Sequence, residues 1–250
     1  MKFIAVIPAR YASTRFPGKP LAMINGRSMV MRVYEQALKA GCLSQVVVAT
    51  DDDRICRHVL DEGGQALMTS PEHRSGTARV REAAQLLCGE CSSQKGTVVI
   101  NIQGDEPYID PGQIDSLAAC FDDPGTGIAT LIKKIVSTED LLNPNVVKVI
   151  RGAGGRALYF SRSPIPFVRD TGQDQWLQQT VFYKHIGIYA YRADILEEIC
   201  NLEAGLLEQA EGLEQLNWLE HGYPVITGLT EHESISVDTP GDLSKFTNKT

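Results

Sequence analysis

Residues 7–21 read Ile-Pro-Ala-Arg-Tyr-Ala-Ser-Thr-Arg-Phe-Pro-Gly-Lys-Pro-Leu and follow an apolar run at residues 3–7. The apolar run has the length of a buried strand. The prolines remove backbone donors and fix φ, so the stretch after the strand cannot form an ordinary helix. Arg10, Arg15 and Lys19 lie within ten residues of one another. Such a loop can hold backbone amides, hydroxyls and cationic side chains around a polyphosphate; a solvated basic loop after an edge strand is the alternative.

The composition limits the classes of protein that this chain can represent. With 250 residues, the chain can form one large domain, or a domain with a smaller lobe. The net charge of −7 does not suggest bulk attraction to nucleic acid. Met1-Lys2 leads straight into a strand, and no apolar run approaches the roughly 20 residues that a transmembrane helix needs. We therefore expect a cytoplasmic protein with neither nucleic acid nor a membrane as partner.

The cysteine pattern argues against a metal or redox centre. Among the six cysteines, only Cys88 and Cys91 form a Cys-x-x-Cys pair. No second pair completes a tetrahedral site, and no thioredoxin-like strand and helix precede the pair. We expect reduced thiols, as in a cytosolic protein.

Helix and strand patterns alternate through the first half of the chain. Apolar spacing predicts helices over residues 28–40 and 52–62 and a third helix ending near residue 87. Short apolar runs predict strands at residues 3–7, 46–49, 66–68 and 97–102. This alternation is typical of an α/β fold, with a mostly parallel sheet flanked by helices.

After residue 110 the pattern becomes richer in extended segments. Residues 145–151 and 156–160 flank Gly152-Ala153-Gly154-Gly155, which predicts a hairpin. The remaining pattern predicts a helix at 111–121, strands at 127–136, 182–191 and 234–237, one amphipathic helix at 206–221 and a terminal helix after Asp238. We predict a single domain over residues 1–250, with an antiparallel-rich second lobe in its latter half.

Two aspartates at predicted strand ends are the candidate metal ligands. The P-loop and dinucleotide-fold signatures are absent, and what remains is a set of strand-end loops with cations, amides and carboxylates. Asp105 and Asp238 each follow a predicted strand. Mg²⁺ prefers one or two carboxylates, with water and phosphate oxygens completing its shell. Alternatively each aspartate caps the helix that follows, and Thr239-Pro240 after Asp238 suits such a cap.

Several motifs together carry a resemblance to a known family from about residue 3 to residue 243. In order along the chain, the motifs are the 7–21 loop, Ala49-Thr50-Asp51-Asp52, His73-Arg74-Ser75-Gly76-Thr77, Asn101-Ile102-Gln103-Gly104-Asp105-Glu106-Pro107, Ala157-Leu158-Tyr159-Phe160-Ser161-Arg162, Lys184-His185-Ile186-Gly187-Ile188-Tyr189, Leu213-Glu214-Gln215-Leu216 and Ser236-Val237-Asp238-Thr239-Pro240. Together they resemble the 3-deoxy-manno-octulosonate cytidylyltransferases, the family that makes CMP-Kdo for lipopolysaccharide.

The resemblance implies a nucleotide-diphospho-sugar transferase-like fold and a nucleotidyltransferase. CMP would pass from CTP to the anomeric hydroxyl of 3-deoxy-D-manno-octulosonate (Kdo), giving CMP-Kdo and pyrophosphate. It also implies Mg²⁺ as cofactor and a homodimer. A nucleotide-binding lobe would comprise about residues 1–110 and the C-terminal segment, and residues 111–215 would form a sugar-binding and dimerisation lobe. The alternatives are a related acid sugar, 8-amino-Kdo or sialic acid, and a catalytically silent nucleotide-binding module.

The resemblance also implies the roles of particular residues. The catalytic set is Arg10, Lys19, Asp105 and Asp238, and the two aspartates would carry the metal. The nucleotide-binding set is Ala9, Arg10, Ser13, Arg15, Lys19, Ser75, Gly76, Arg79 and Gln103, with backbone carbonyls near Ala9 or Ser75 accepting the cytosine amino group. The sugar-binding set is Arg162, His185, Tyr189, Glu214 and Gln215, in which Arg162 or His185 would supply a cation for the sugar's carboxylate.

Three positions depart from the family pattern. Ala78 stands where an acidic residue is usual, so an ion pair that orients Arg79 is expected to be missing. Asn217 stands where an arginine is usual, which bears on the sugar side. Gly241 replaces a usual glutamate, at a small cost to the start of the following helix. All proposed metal ligands and triphosphate-binding cations are present, so we expect activity.

Overall fold

The computed structural model describes residues 1–12, 16–73, 75–89, 96–233, 235–243 and 246. Its strands are β1 (Lys2–Ala9), β2 (Met23–Ile24), β3 (Arg27–Ser28), β4 (Leu43–Thr50), β5 (Ala66–Met68), β6 (Thr97–Asn101), β7 (Ile128–Lys134), β8 (Lys148–Arg151), β9 (Ala157–Ser161), β10 (Tyr183–Arg192) and β11 (Val225–Leu229). Its α-helices are α1 (Met29–Ala37), α2 (Asp53–Asp61), α3 (Gly76–Cys88), α4 (Pro111–Ala119), α5 (Thr138–Leu142), α6 (Trp176–Gln179), α7 (Ala193–Ile199), α8 (Leu206–Glu211) and α9 (Glu214–Glu220). In these ranges no helix is long and apolar enough to cross a membrane.

Most of the strands join in one mixed sheet. Its order is β11-β7-β10-β6-β1-β4-β5, and β8 pairs with β10 and β9. Strand β1 runs parallel to β4 and β6, and β4 runs parallel to β5. Strand β10 is antiparallel to β6, β7 and β8. The predicted fold class is confirmed, and the antiparallel strands of the latter half extend the same sheet. The division into two lobes at about residue 110 stays a prediction.

The central strands are apolar on both faces because helices cover both sides of the sheet. Ala5 and Ile7 pack with side chains of α1, α2 and α4, whereas Ile4 and Val6 pack with side chains of α3, α7 and α9. All four are fully buried. Burying an isoleucine or valine side chain contributes about 1.5–3 kcal/mol, so β1 is firmly held just before the loop that follows it.

The structure corrects two sequence-based predictions in the C-terminal third. The predicted helix at 206–221 is two helices, because Gly212 takes a left-handed conformation (φ 61°) that ends α8. The predicted strand at 234–237 is irregular at residues 235–237, and Ser234 lies outside the described residues. The N–H of Val237 donates a backbone hydrogen bond to the carbonyl of Asp105 at 2.9 Å. The predicted hairpin is confirmed by the antiparallel pairing of β8 and β9.

The described cysteines are free thiols, namely Cys42, Cys56, Cys88, Cys120 and Cys200. Burial is the main cause that raises the pKa of Cys42 and of Cys200 to about 12. Both therefore stay protonated at neutral pH, as inert structural cysteines do. Cys91 of the Cys-x-x-Cys pair lies outside the described residues.

Candidate active site

A cavity of about 430 Å³ lies at the carboxyl ends of β1 and β6, the edge at which α/β sheets bind ligands. The size is within the range of small-molecule pockets. The cavity brings together all four proposed catalytic residues and the described members of the nucleotide-binding set. Its lining is Pro8, Ala9, Arg10, Ala12, Lys19, Pro20, Ser75, Gly76, Arg79, Gln103, Gly104, Asp105 and Asp238. The predicted nucleotide ligands Ser13 and Arg15 lie outside the described residues.

Lys19 connects the three segments that form one end of this cavity. Its Nζ donates hydrogen bonds to Asp105 Oδ2 at 2.7 Å and to the carbonyl oxygen of Val237 at 2.9 Å. The lysine and aspartate side chains are 16% and 28% exposed, so the ion pair is partly desolvated. Gly18 precedes Lys19 with φ 70°, a left-handed conformation that favours glycine and turns the chain toward the cavity. The loop after β1 is thereby joined to the segment that carries Asp238.

A different aspartate, Asp110, caps α4, the helix that follows Asp105. Its carboxylate accepts the N–H of Gly112 at 2.7 Å. The turn after Asp238 is held by Asp242, whose carboxylate accepts the N–H of Thr239 at 2.9 Å. Asp105 and Asp238 both line the cavity, and the capping alternative stays open for Asp238.

The donor chemistry of Asp105 and Asp238 fits Mg²⁺. Two carboxylates beside room for phosphate oxygens suffice for this ion, because water and phosphate usually complete its shell. Across the described ranges, no group of three or more metal-ligating side chains is found. The described residues therefore do not form a metal site built from side chains alone. The assignment of Mg²⁺ to the two aspartates stays a prediction.

Gly104 allows the ends of β1 and β6 to approach closely. A Cβ at this position would lie 2.8 Å from the carbonyl oxygen of Pro8. A side chain would therefore push apart the segments that present Gln103 and Asp105 to the cavity.

Arg79 is almost fully buried, at 1% exposure, and is one of the residues that line the cavity. Its Nη2 donates to Asp51 Oδ2 at 2.7 Å, and its Nη1 donates to Thr69 Oγ1 at 2.5 Å. The expectation that Ala78 leaves Arg79 without an ion pair is wrong, because Asp51 supplies the carboxylate from the end of β4. In the sequence analysis, Asp51 appeared only within the motif Ala49-Thr50-Asp51-Asp52 and was given no role in the site. Its place directly after a strand, at the ligand-binding edge, was the signal that could have identified it.

The sugar-binding candidates lie directly after β9, on β10 and at the start of α9. The rings of His185 and Tyr189 lie 5.1 Å apart, and Tyr189 packs edge-on against Trp218 of α9, also at 5.1 Å. Arg162 donates from Nε to the carbonyl oxygen of Glu211 at 2.7 Å, where α8 ends. Glu214 and Gln215 begin α9, and Gln215 is buried. A bulge in β10 between Ile186 and Tyr189 separates the two aromatic candidates.

The charge states of this group differ from the expectation for an acid-sugar site. Burial lowers the pKa of His185 to about 4, so its ring is neutral at pH 7 and lies 3.0 Å from Thr130 Oγ1. His185 in the free protein is therefore a hydrogen-bonding group rather than the expected cation. Burial also raises the pKa of Glu214. Of the two expected cations, Arg162 remains.

One hydrogen bond connects the sugar-binding candidates to the nucleotide cavity. Thr77 Oγ1, in the first turn of α3, donates to Glu214 Oε2 at 2.6 Å. Ser75, which lines the cavity, caps the same helix by accepting the N–H of Ala78 at 3.1 Å. The departure at Asn217 has a structural role, because its side-chain oxygen accepts the N–H of Gly205 at 3.1 Å and so fixes the start of α8.

Comparison with known proteins identifies the family of this chain. A family model described as cytidylyltransferase matches residues 4–234, which defines the class of protein. A 3-deoxy-manno-octulosonate cytidylyltransferase of Parabacteroides distasonis is 53% identical over 98% of this chain and 96% of its own. One of Bacteroides thetaiotaomicron is 51% identical, with coverages of 97% and 96%. The chain belongs to the family of 3-deoxy-manno-octulosonate cytidylyltransferases. A solved structure of CMP:2-keto-3-deoxy-manno-octonic acid synthetase complexed with CTP matches with a TM-score of 0.89 at 41% identity, covering 98% of this chain and 96% of that one.

Proposed function

We propose that this protein transfers CMP from CTP to the anomeric hydroxyl of Kdo and releases pyrophosphate. The observation that carries the proposal is the cavity at the sheet edge, where Arg10 and Lys19 face the same space as Asp105 and Asp238. Cations and metal-binding carboxylates in one cavity are what nucleotidyl transfer requires. The names of the relatives and the CTP complex of the solved relative support the choice of substrates.

In this proposal the chain acts mainly by positioning and charge neutralisation. Arg10 and Lys19 donate hydrogen bonds to the triphosphate and disperse the negative charge that develops on pyrophosphate. The sugar hydroxyl attacks the α-phosphorus, loses its proton, and the bond to the bridging oxygen of pyrophosphate breaks. Asp105 and Asp238 would hold Mg²⁺, which when bound shares the phosphate charge and favours the ionised hydroxyl.

The sugar would lie between α9 and the end of β10. Tyr189, Glu214 and Gln215 would bond the hydroxyls, and the neutral His185 would add a donor or an acceptor. Arg162 would attract the carboxylate. The Thr77–Glu214 hydrogen bond supports this placement, since it brings the start of α9 against the helix whose N-terminus lines the nucleotide cavity.

We further propose a cytoplasmic homodimer whose product serves lipopolysaccharide synthesis. An apolar cluster of Ile135, Leu141, Trp176 and Phe182 lies beside exposed apolar side chains in the latter half of the chain. Phe167, 75% exposed, packs edge-on against Trp176 at 5.2 Å, and Val136 is 78% exposed. A second copy that covers these side chains would remove apolar surface from water. Sedimentation of the protein and of a Phe167→Asp variant tests this: a dimer that the variant dissociates supports the interface, and a monomeric protein contradicts it.

Pyrophosphate release tests the reaction itself. The assay contains CTP, Mg²⁺ and Kdo, beside parallel reactions with UTP, 8-amino-Kdo or sialic acid. We expect release with CTP and Kdo, and its loss in Asp105→Ala and Asp238→Ala. Asp61→Ala, at an exposed position on α2, is the matched control and should keep full activity. If pyrophosphate is released only with another acid sugar, that sugar is the substrate in place of Kdo. If no sugar gives pyrophosphate although CTP binds, the result favours a catalytically silent nucleotide-binding module.

A further inference from the structure

The buried arginine of the cavity wall is held by two residues that follow neighbouring strands. Asp51 comes directly after β4 and Thr69 directly after β5, and the two strands run parallel with Thr50 beside Met68. Both side chains accept hydrogen bonds from the guanidinium of Arg79, Asp51 at 2.7 Å and Thr69 at 2.5 Å. Charged hydrogen bonds of this kind are short and directional. The orientation of the guanidinium is thereby defined before any ligand enters.

The position of this group along the sheet edge matches one end of a nucleotide. Lys19 and Asp105 lie in the loops after β1 and β6, whereas Asp51 and Thr69 directly follow β4 and β5. In the order β6-β1-β4-β5, the centres of the two strand pairs are two strand spacings, about 10 Å, apart. Arg79 lines the same cavity as Arg10 and Lys19, so a triphosphate bound between those two cations can place its nucleoside beside Arg79.

We propose that Asp51 is a positioning residue that makes the site selective for cytosine by orienting Arg79. The inference rests on the proposed cytidylyl transfer. A guanidinium carries only donors. Cytosine presents acceptors at N3 and O2, whereas uracil carries a hydrogen on N3. When the N–H donors of Arg79 are held toward N3 and O2 of the base, they form hydrogen bonds with cytosine. With uracil, the same donors face the N3–H, which is also a donor, so no hydrogen bond forms at N3.

The other carboxylates near Arg79 already have partners. Asp52 caps α2 and binds Arg54 at 2.6 Å. Glu82 binds His73 at 2.5 Å and accepts the N–H of Ser70 at 2.8 Å. Position 78, three residues into the helix that carries Arg79, is an alanine. Among the described residues, Asp51 is the carboxylate that forms a hydrogen bond with the guanidinium.

Asp51→Asn tests the proposal, with CTP and UTP compared in calorimetric binding and in turnover with Kdo. We expect the Kd and KM for CTP to rise about tenfold, while kcat at saturating CTP changes less than about threefold. The CTP:UTP preference should fall by about tenfold, because a donor that is no longer held at N3 discriminates less. Asp51→Glu keeps the charge and should recover part of the preference. Asp53→Asn removes the same charge from an exposed pair with Arg57 and should leave the preference at the wild-type value.

Thermal unfolding, followed in parallel, separates stability from selectivity. A folded Asp51→Asn protein with the wild-type CTP:UTP preference overturns the proposal. If Asp51→Asn does not fold, Asp51→Ala, which also removes the carboxylate, decides, and an unchanged preference in that variant overturns the proposal as well. Failure of the proposed function appears differently: wild-type protein would bind CTP in preference to UTP but release no pyrophosphate with any sugar.

Discussion

Replacing Lys19 with methionine removes the ammonium group that lies between Asp105 and the carbonyl of Val237, and keeps most of the side-chain volume. A hydrogen bond to a charged group contributes about 1.5–3 kcal/mol, and here two such bonds, at 2.7 and 2.9 Å, are lost from a partly exposed site. Recovered hydration of Asp105 offsets part of the loss, so we expect a destabilisation of about 2 kcal/mol. For a chain of this length that corresponds to a fall in Tm of about 4–8 °C.

The same substitution should affect two ligands in opposite directions. Without nucleotide, Asp105 loses its resident cation, so Mg²⁺ should bind more tightly than it does to the wild-type protein. CTP should bind more weakly by about tenfold or more, because a triphosphate-binding cation is missing. Calorimetric titrations with Mg²⁺ alone and with CTP alone measure both effects without turnover.

Lys39→Met is the matched control. Lys39 is exposed, and its ammonium group donates a hydrogen bond to Gln36 Oε1 near the end of α1. Its Tm, Mg²⁺ and CTP titrations should equal those of the wild-type protein. If Lys19→Met gives the same results as Lys39→Met, the contact with Asp105 does not couple the loop to the metal-binding carboxylate, and the reasoning is refuted.

Three further changes test other parts of the site. Gly104→Ala should lower the free energy of unfolding by about 1–3 kcal/mol and weaken CTP binding, because the new Cβ would lie 2.8 Å from the carbonyl oxygen of Pro8. Gly96→Ala is the control: nothing lies near its Cβ, so the free energy of unfolding should change by under about 1 kcal/mol. The folded pKa of His185, about 4, lies below its ordinary 6.5, so its stabilising effect is complete above pH 6.5 and is lost as pH falls toward 4. At 1.36 kcal/mol per pKa unit, the free energy of unfolding should fall by about 3 kcal/mol over this pH range. Denaturant titrations of a His185→Gln variant should not show this fall. If the free energy of unfolding changes equally with pH in the wild-type protein and the variant, the assignment of a neutral, buried His185 is contradicted. Because burial raises the pKa of Glu214, its negative charge opposes folding at neutral pH. Glu214→Gln should therefore raise the free energy of unfolding by about 0.5–2 kcal/mol and lower turnover with Kdo. An unchanged Tm would argue against a buried charge.

Local sequence patterns were sufficient for much of the fold. The predicted helix at 52–62 begins with the cap that Asp52 forms, and the predicted strand at 66–68 is β5. These elements depend on side-chain period and on caps, which act over a few residues. The boundary at Gly212 was missed because apolar spacing continues across it, and only the backbone conformation divides α8 from α9.

The chemistry of the candidate site was predicted in kind but not in its contacts. The residue types of the 7–21 loop, with Asp105 and Asp238, were enough to predict a polyphosphate and a divalent cation. Neither the pairing of Arg79 with Asp51 nor the neutral state of His185 could be read from the chain. The first joins residues 28 positions apart, and the second depends on how deeply other segments bury the ring.

By itself, the sequence determined the alternation of strand and helix, the buried character of β1, and the residue types available at the strand ends, since these follow from local periodicity and composition. The tertiary structure alone decided that β10 enters between β6 and β7, that Lys19 reaches across to Val237, and that Asp51 serves in place of a carboxylate at position 78. The physical reason is that long-range pairing is set by the packing of whole elements against one another. A burial environment, and with it a charge state or a guanidinium orientation, exists only after that packing is complete.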